Sequence, residues 1–245
     1  GLQAALDATI AKLPIPKVMT YQQADGWSNI KFVRPVHRLT AIHGGDVIDV
    51  EALGIRSSNV TQGHRFEAKA ETMVLADADS YAATLKADGA VIASYEERRN
   101  DIQTQLRAKS QAEGLTPIDD EELLDEVTSL VERPNVLLCQ FEQEFLDVPQ
   151  ECLILTMKQN QKYFPLLDAA GKLTNKFLLV SNITPDDPSD VIGGNERVVR
   201  PRLADAKFFF DQDKKKTLET RLSGLDKVVY HNQLGTQGER VTRVR

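Results

Sequence analysis

The strongest constraint on the fold is a hydrophobic period that switches several times between helical and alternating. Leu2, Ala5, Leu6 and Ile10 recur at helical spacing, and Pro14 and Pro16 end that pattern. Strand-patterned runs follow over residues 32–42 and 47–55, with Gly44, Gly45 and Asp46 between them as a hairpin-turn signal. Residues 60–66 add a further short strand in which Gly63 marks a bulge or a close backbone approach. The helical period returns over 80–86, where Asp77 or Asp79 supplies a cap, and over about 92–113. Asp119 or Asp120 caps a third helix carrying Leu123, Leu124, Val127 and Leu130, which Pro134 closes; strands are then expected at 136–141, 162–167 and 176–181. This mixed order predicts an α+β fold.

With 245 residues and 41% apolar content, the chain can bury one sizeable core or two unequal ones. No apolar run approaches the ~20 residues needed to span a bilayer, and no basic, then apolar, leader opens the chain. Two cysteines, Cys139 and Cys152, form neither a disulfide framework nor a paired metal-ligand motif, so a reduced, cytoplasmic protein is expected. Gly1 stands where an initiator Met would, and the last residues read as the inside of a helix, so both ends are expected to be cut from a longer chain.

Charge is unevenly spread over a net of −6. Residues 96–132 carry eleven acidic against four basic side chains, whereas residues 195–221 carry eight basic against five acidic. A polyanion would therefore meet the second segment. A helix over 201–222, with Pro201 in its first turn, would set Lys207, Lys214 and Arg221 on one face and Leu203, Ala206, Phe210 and Thr217 on another. Arg197, Arg200 and Arg202 would then lie just before it, able to hold an anion together with its N-terminal amides. The competing expectation is that Arg200 and Arg202 pair with Asp205 or Glu196, and that Lys214, Lys215 and Lys216 only solvate a surface. Of Phe208, Phe209 and Phe210, all but Phe209 are expected in the core. Residues 157–165 are expected to form a polar loop entering a strand. His64 and Arg65 are expected to fix a strand end or to act as a polar recognition pair; histidine spacing supports no metal site.

The block from Gly194 to Phe209 resembles the signature GNE-x-V-x-RPRLADA-x-FF of the glycyl-tRNA synthetase β subunit family. Matches in the same order run through AKLPIPK from Ala11, FVRPVH from Phe32, GHRF from Gly63, YEER from Tyr95, MKQNQKYFP from Met157 and the Gln233-Leu234-Gly235 run leading to Arg240. The resemblance implies an internal fragment. Residues 1–222 would form an α+β domain with a mixed or antiparallel sheet core, similar to the B3/B4 type and carrying a helical arm over about 77–133. Residues 223–245 would be a linker and the truncated start of an HD-like helical domain. It further implies a glycine–tRNA ligase of two α and two β subunits, with ATP and Mg²⁺ used at the α subunit and tRNA(Gly) bound through β.

On that basis the fragment is expected to be non-catalytic and free of cofactors. Arg197, Arg200, Arg202, Lys207, Lys214, Lys215, Lys216 and Arg221 are its candidate tRNA contacts. Two other roles stay open: a hydrolytic editing domain, and a purely structural interface to the α subunit. Glycine weakens the first, because a site for the smallest amino acid excludes larger ones sterically without a second sieve.

Overall fold

A computed structural model describes all 245 residues, which fall into two compact units. The first comprises Gly1–Thr104, Leu124–Asn135 and Ser181–Thr184; the second comprises Gln105–Leu123, Val136–Val180 and Pro185–Arg245. Helices and small sheets are mixed throughout, an α+β fold. No helix is long and apolar enough to cross a membrane.

The first unit opens with the helix Leu2–Lys12, followed by an antiparallel hairpin of Met19–Gln22 with Asn29–Phe32 that the strand pattern missed. Its turn is made by Asp25, whose carboxylate accepts from the amides of Trp27 and Ser28, and by Gly26 at φ +78°. The continuous strands expected over 32–42 and 47–55 are interrupted. Pro35 removes a ladder donor and restricts its predecessor, so pairing stops at Phe32 and resumes only at Leu39–Thr40 and Ile42–His43. Leu53 and Gly54 both take positive φ and fold 51–58 into its own hairpin, Glu51–Ala52 against Ile55–Ser58. The expected turn at Gly44 and Gly45 is present, joining Ile42–His43 to Asp46–Val47.

Buried apolar residues of this unit include Met73, Leu75, Leu85, Ile102, Leu124 and Val127. Its helical part is tied by Arg98, which donates to the carbonyls of Ile92 at 2.6 Å and Thr128 at 3.1 Å.

The second unit contains a four-stranded sheet in the order Thr116–Pro117, Phe164–Leu167, Leu173–Ser181, Asn135–Gln140. One hydrophobic cluster fills it, with Phe177, Leu153, Met157, Val199 and Leu203 fully buried. Tyr163 stacks on Phe177 with ring centroids 4.6 Å apart. Burial pushes the Tyr163 phenol up to about 12, with the neighbouring Cys139 adding to the shift, and burial pushes the Cys139 thiol up to about 12 as well, helped by Glu196. The polar loop expected from Met157 is helical instead. Met157–Gln161 extends the helix Gln150–Thr156 by a π-type turn, because Met157 is anchored in the core and Lys162, in the left-handed region, stops the turn. Asp120 caps its helix as expected, accepting from Leu123 N at 2.9 Å, and it pairs with Lys158. The chain ends in the helix Gln237–Val244, opened by a capping box of Thr236 and Glu239.

Candidate nucleic-acid interface

One helix, Ser189–Asp213, carries most of the basic segment, and its placement corrects the sequence reading. Pro201 lies in its interior, so Arg197, Arg200 and Arg202 sit in the middle of the helix and gain nothing from N-terminal amides. A mid-helix proline deprives the carbonyl four residues earlier of its donor. Here Pro201 is exposed, so water can satisfy that carbonyl, while packing on both sides holds the helix together.

The packing explains much of the motif. Asn195 donates through Nδ2 to the Val191 carbonyl at 2.7 Å, and its Oδ1 accepts from the Tyr163 hydroxyl at 2.7 Å. Glu196 accepts from the Gln140 amide at 2.9 Å. Val199 and Leu203 are buried, and Ala206 and Phe210 pack against the same cluster. At about 100° per residue these positions share one stripe, which turns Phe208 and Phe209 outward. Both rings are exposed, at 57% and 65%, in an edge-to-face pair. Phe208 therefore does not join the core as expected, because the stripe has room for only one of three successive phenylalanines.

The eight candidate cations divide into two sets. Arg200 pairs with Glu142, not with Asp205 or Glu196. The Glu142 carboxyl is held below its usual range chiefly by its own backbone amide; burial opposes this, and Arg200 adds to the lowering. Lys207 pairs with Asp211 at 3.0 Å, an ion pair that raises its ammonium above the usual lysine range, and Arg221 pairs with Asp213 at 3.1 Å. Those three are neutralised locally.

Arg197, Arg202, Lys215 and Lys216 are exposed and carry no ion pair, and the Lys214 ammonium sits 4.9 Å from the Phe210 ring centroid. Asp213 ends the helix, so the expected Lys207, Lys214 and Arg221 stripe does not form. The three lysines instead crowd the negative end of the helix dipole, about 18 Å beyond Arg202 at 1.5 Å per residue.

A second polar feature lies in the first unit. His64 is buried; its Nε2–H donates to the Asn182 carbonyl at 2.6 Å, and its Nδ1 accepts from the amides of Phe66 and Glu67, both at 3.2 Å. That network assigns the Nε2–H tautomer. Arg65 and Phe66 project outward beside it. His64 and Arg65 thus do not act alike, since one is a fixture and the other is presented to solvent. No group of three or more His, Cys, Asp or Glu side chains is arranged to hold a metal ion.

The family model described as "Glycyl-tRNA synthetase beta subunit" matches residues 1–245. The chain is similar to the glycine–tRNA ligase beta subunits of Leptothrix cholodnii, at 70% identity over 245 residues, and of Methylobacillus flagellatus, at 69% over 244 residues; each match covers 100% of this chain and 34% of the relative. The corresponding protein of Thiobacillus denitrificans is 70% identical over 245 residues, covering 100% of this chain and 35% of its own length. The chain thus spans about a third of the length of these curated relatives.

Proposed function

The chain belongs to the glycyl-tRNA synthetase β-subunit family, and we propose that this portion binds tRNA(Gly) and supports assembly with the α subunit of a cytoplasmic α2β2 enzyme. In this reading glycine is activated with ATP and Mg²⁺ at the α subunit, and the β portion contributes affinity without reacting groups of its own. The observation that carries it is the set of exposed cations free of ion pairs, Arg197, Arg202, Lys215 and Lys216, joined by Lys214, in a chain of net charge −6. A helix anchored by Val199, Leu203, Asn195 and Glu196 holds Arg197 and Arg202 in a defined arrangement, and the three lysines follow directly on its last residue, Asp213. Cations in an anchored array attract phosphates with little ordering cost, and the affinity they supply falls with salt.

The test replaces Lys214, Lys215 and Lys216 with Ala in the complete α and β enzyme. Affinity for tRNA should weaken while affinities for ATP and glycine hold. For each phosphate that a lysine no longer neutralises, the log–log salt dependence should flatten by about 0.7 to 0.9. Unchanged tRNA affinity together with an unchanged salt slope would assign the lysines to the helix dipole alone.

A further inference from the structure

The first unit holds a cavity of ≈740 Å³ that the tRNA reading does not use, lined by His37, Gln62, Arg65 and Glu71 with Gly63, His64, Ala68 and Ala70 completing its wall. Two of the sequence motifs meet in it, since His37 ends the run from Phe32 and Gly63 opens the run to Phe66. The loop forming one wall is fixed from below with unusual thoroughness. The His64 amide donates to the Gly89 carbonyl at 2.7 Å, and Gly63 lies so close to Gly89 that a Cβ there would come within 2.4 Å of the Gly89 oxygen. His64 spends both ring nitrogens on backbone groups, two of them within the loop itself. Glu67 accepts from the Thr184 amide and pairs with Arg133 at 3.1 Å.

What this scaffold presents is apolar and cationic together. Phe66 is 76% exposed, with the Arg65 guanidinium 5.6 Å from its ring centroid and the His64 ring 6.2 Å away on a tilt. An exposed phenylalanine on a mobile loop would need no explanation. On a loop held by a buried histidine and a close backbone-to-backbone approach, it is a preorganised surface, and binding residues are characteristically carried on loops positioned this way.

We infer that the exposed Phe66 ring, which lies outside the cavity lining but next to Arg65 in its wall, forms a nucleotide site together with the cavity: a base stacks on Phe66, its phosphate meets Arg65, and Gln62 and Glu71 accept from ribose hydroxyls or base N–H groups. Aromatic stacking beside an arginine is how unpaired nucleotides are held with little sequence preference. The Glu71 carboxylate disfavours a dense run of phosphates and suits a single ribonucleotide, whose 2′-hydroxyl is a donor. The inference rests on the tRNA reading for the source of that nucleotide, an unpaired position of the bound RNA; a free mononucleotide has the same chemistry.

The experiment uses the full-length β chain with its α partner and three probes: tRNA(Gly), a short single-stranded oligoribonucleotide, and AMP. Phe66→Ala and Arg65→Ala should each weaken the oligoribonucleotide about tenfold, and Phe66→Trp should restore it. Both positions are exposed, so melting temperatures should not move. A duplex RNA of the same length should be indifferent to Phe66→Ala. Loss of AMP binding with the oligoribonucleotide and tRNA unaffected would identify the occupant as a free nucleotide. Affinities within twofold of the parent for all three probes would overturn the site. Release of the α partner with nucleotide binding intact would overturn it too, by showing that the loop docks protein. The salt slope of the lysine variant does not depend on Phe66, so failure here and failure of the tRNA reading are separable.

Discussion

The two units reach order by different means. In the second, thirteen buried residues form one cluster, to which the long helix contributes at Val199 and Leu203, with Val191, Ile192, Ala206 and Phe210 packed against it. In the first, no residue before Val50 is buried, and its strands are two to four residues long, paired in small ladders. Its opening stretch is ordered by turn chemistry and a few long-range polar bonds, of which His64 to Asn182 is the plainest, while its buried apolar residues, Met73, Leu75, Leu85, Ile102, Leu124 and Val127 among them, lie further along the chain. A packed cluster spreads its stability over many weak contacts. A polar staple concentrates it in a few groups whose loss leaves a buried partner unsatisfied.

The contrast can be broken most forcefully at Leu203. Leu203→Ala should destabilise the protein by about 2 to 5 kcal/mol, because it opens a cavity in the single cluster, whereas Phe209→Ala, six positions along the same helix, should cost under about 0.5 kcal/mol. Urea denaturation of both variants checks this. Equal effects would mean that the buried stripe has been assigned to the wrong face of the helix.

A smaller loss is expected in the first unit. Gly63→Ala should cost about 1 to 3 kcal/mol through overpacking, since its Cβ meets the backbone of Gly89 rather than a side chain that can move. Amide hydrogen exchange should then accelerate at Phe66 and Glu67, whose amides bond to His64, while amides in the Leu173–Ser181 strand stay protected. Uniform acceleration across both units would show that they do not differ in what holds them.

The mildest test concerns the acidic helix. Asp120→Ala should cost about 1 to 2 kcal/mol by removing a helix cap. Burial, the largest single effect on the Asp120 carboxyl, raises its pKa, but the hydrogen bond from Lys158 and the amides of Leu123 and Glu122 together outweigh it and hold the carboxyl below its usual range. A carboxylate depressed in the folded state contributes stability above its unfolded pKa of about 3.9 and loses it as pH falls through the folded value. The difference between parent and variant should therefore be constant near neutrality and shrink below about pH 4. A difference that grew on acidification would contradict the assignment.

Much of the local structure was legible because it depends on residues close in the chain. The turn at Gly44 and Gly45, the Asp120 cap and the burial of Leu203 all follow from spacings of a few residues. The hairpin from Met19 to Phe32 was missed because its strands are only four residues long and bury nothing fully, and its turn signal, Asp25 and Gly26, stood without flanking apolar runs. The long helix began twelve residues before its expected start, because a proline that would open an isolated helix is tolerated inside one that packing holds on either side.

By itself the sequence determined the α+β class, the family and the stretch in which positive charge gathers. Only the tertiary structure decided which of those charges remain available. Arg200 is neutralised by Glu142, a partner 58 residues away, and His64 is consumed by a carbonyl 118 residues away, whereas Arg197 and Arg202 on the same helix as Arg200 find no partner. Periodicity records which face of an element is apolar, since that is settled within a turn or two. Whether a surface cation meets a carboxylate depends on how distant segments are brought together by the core, and no local pattern carries that information.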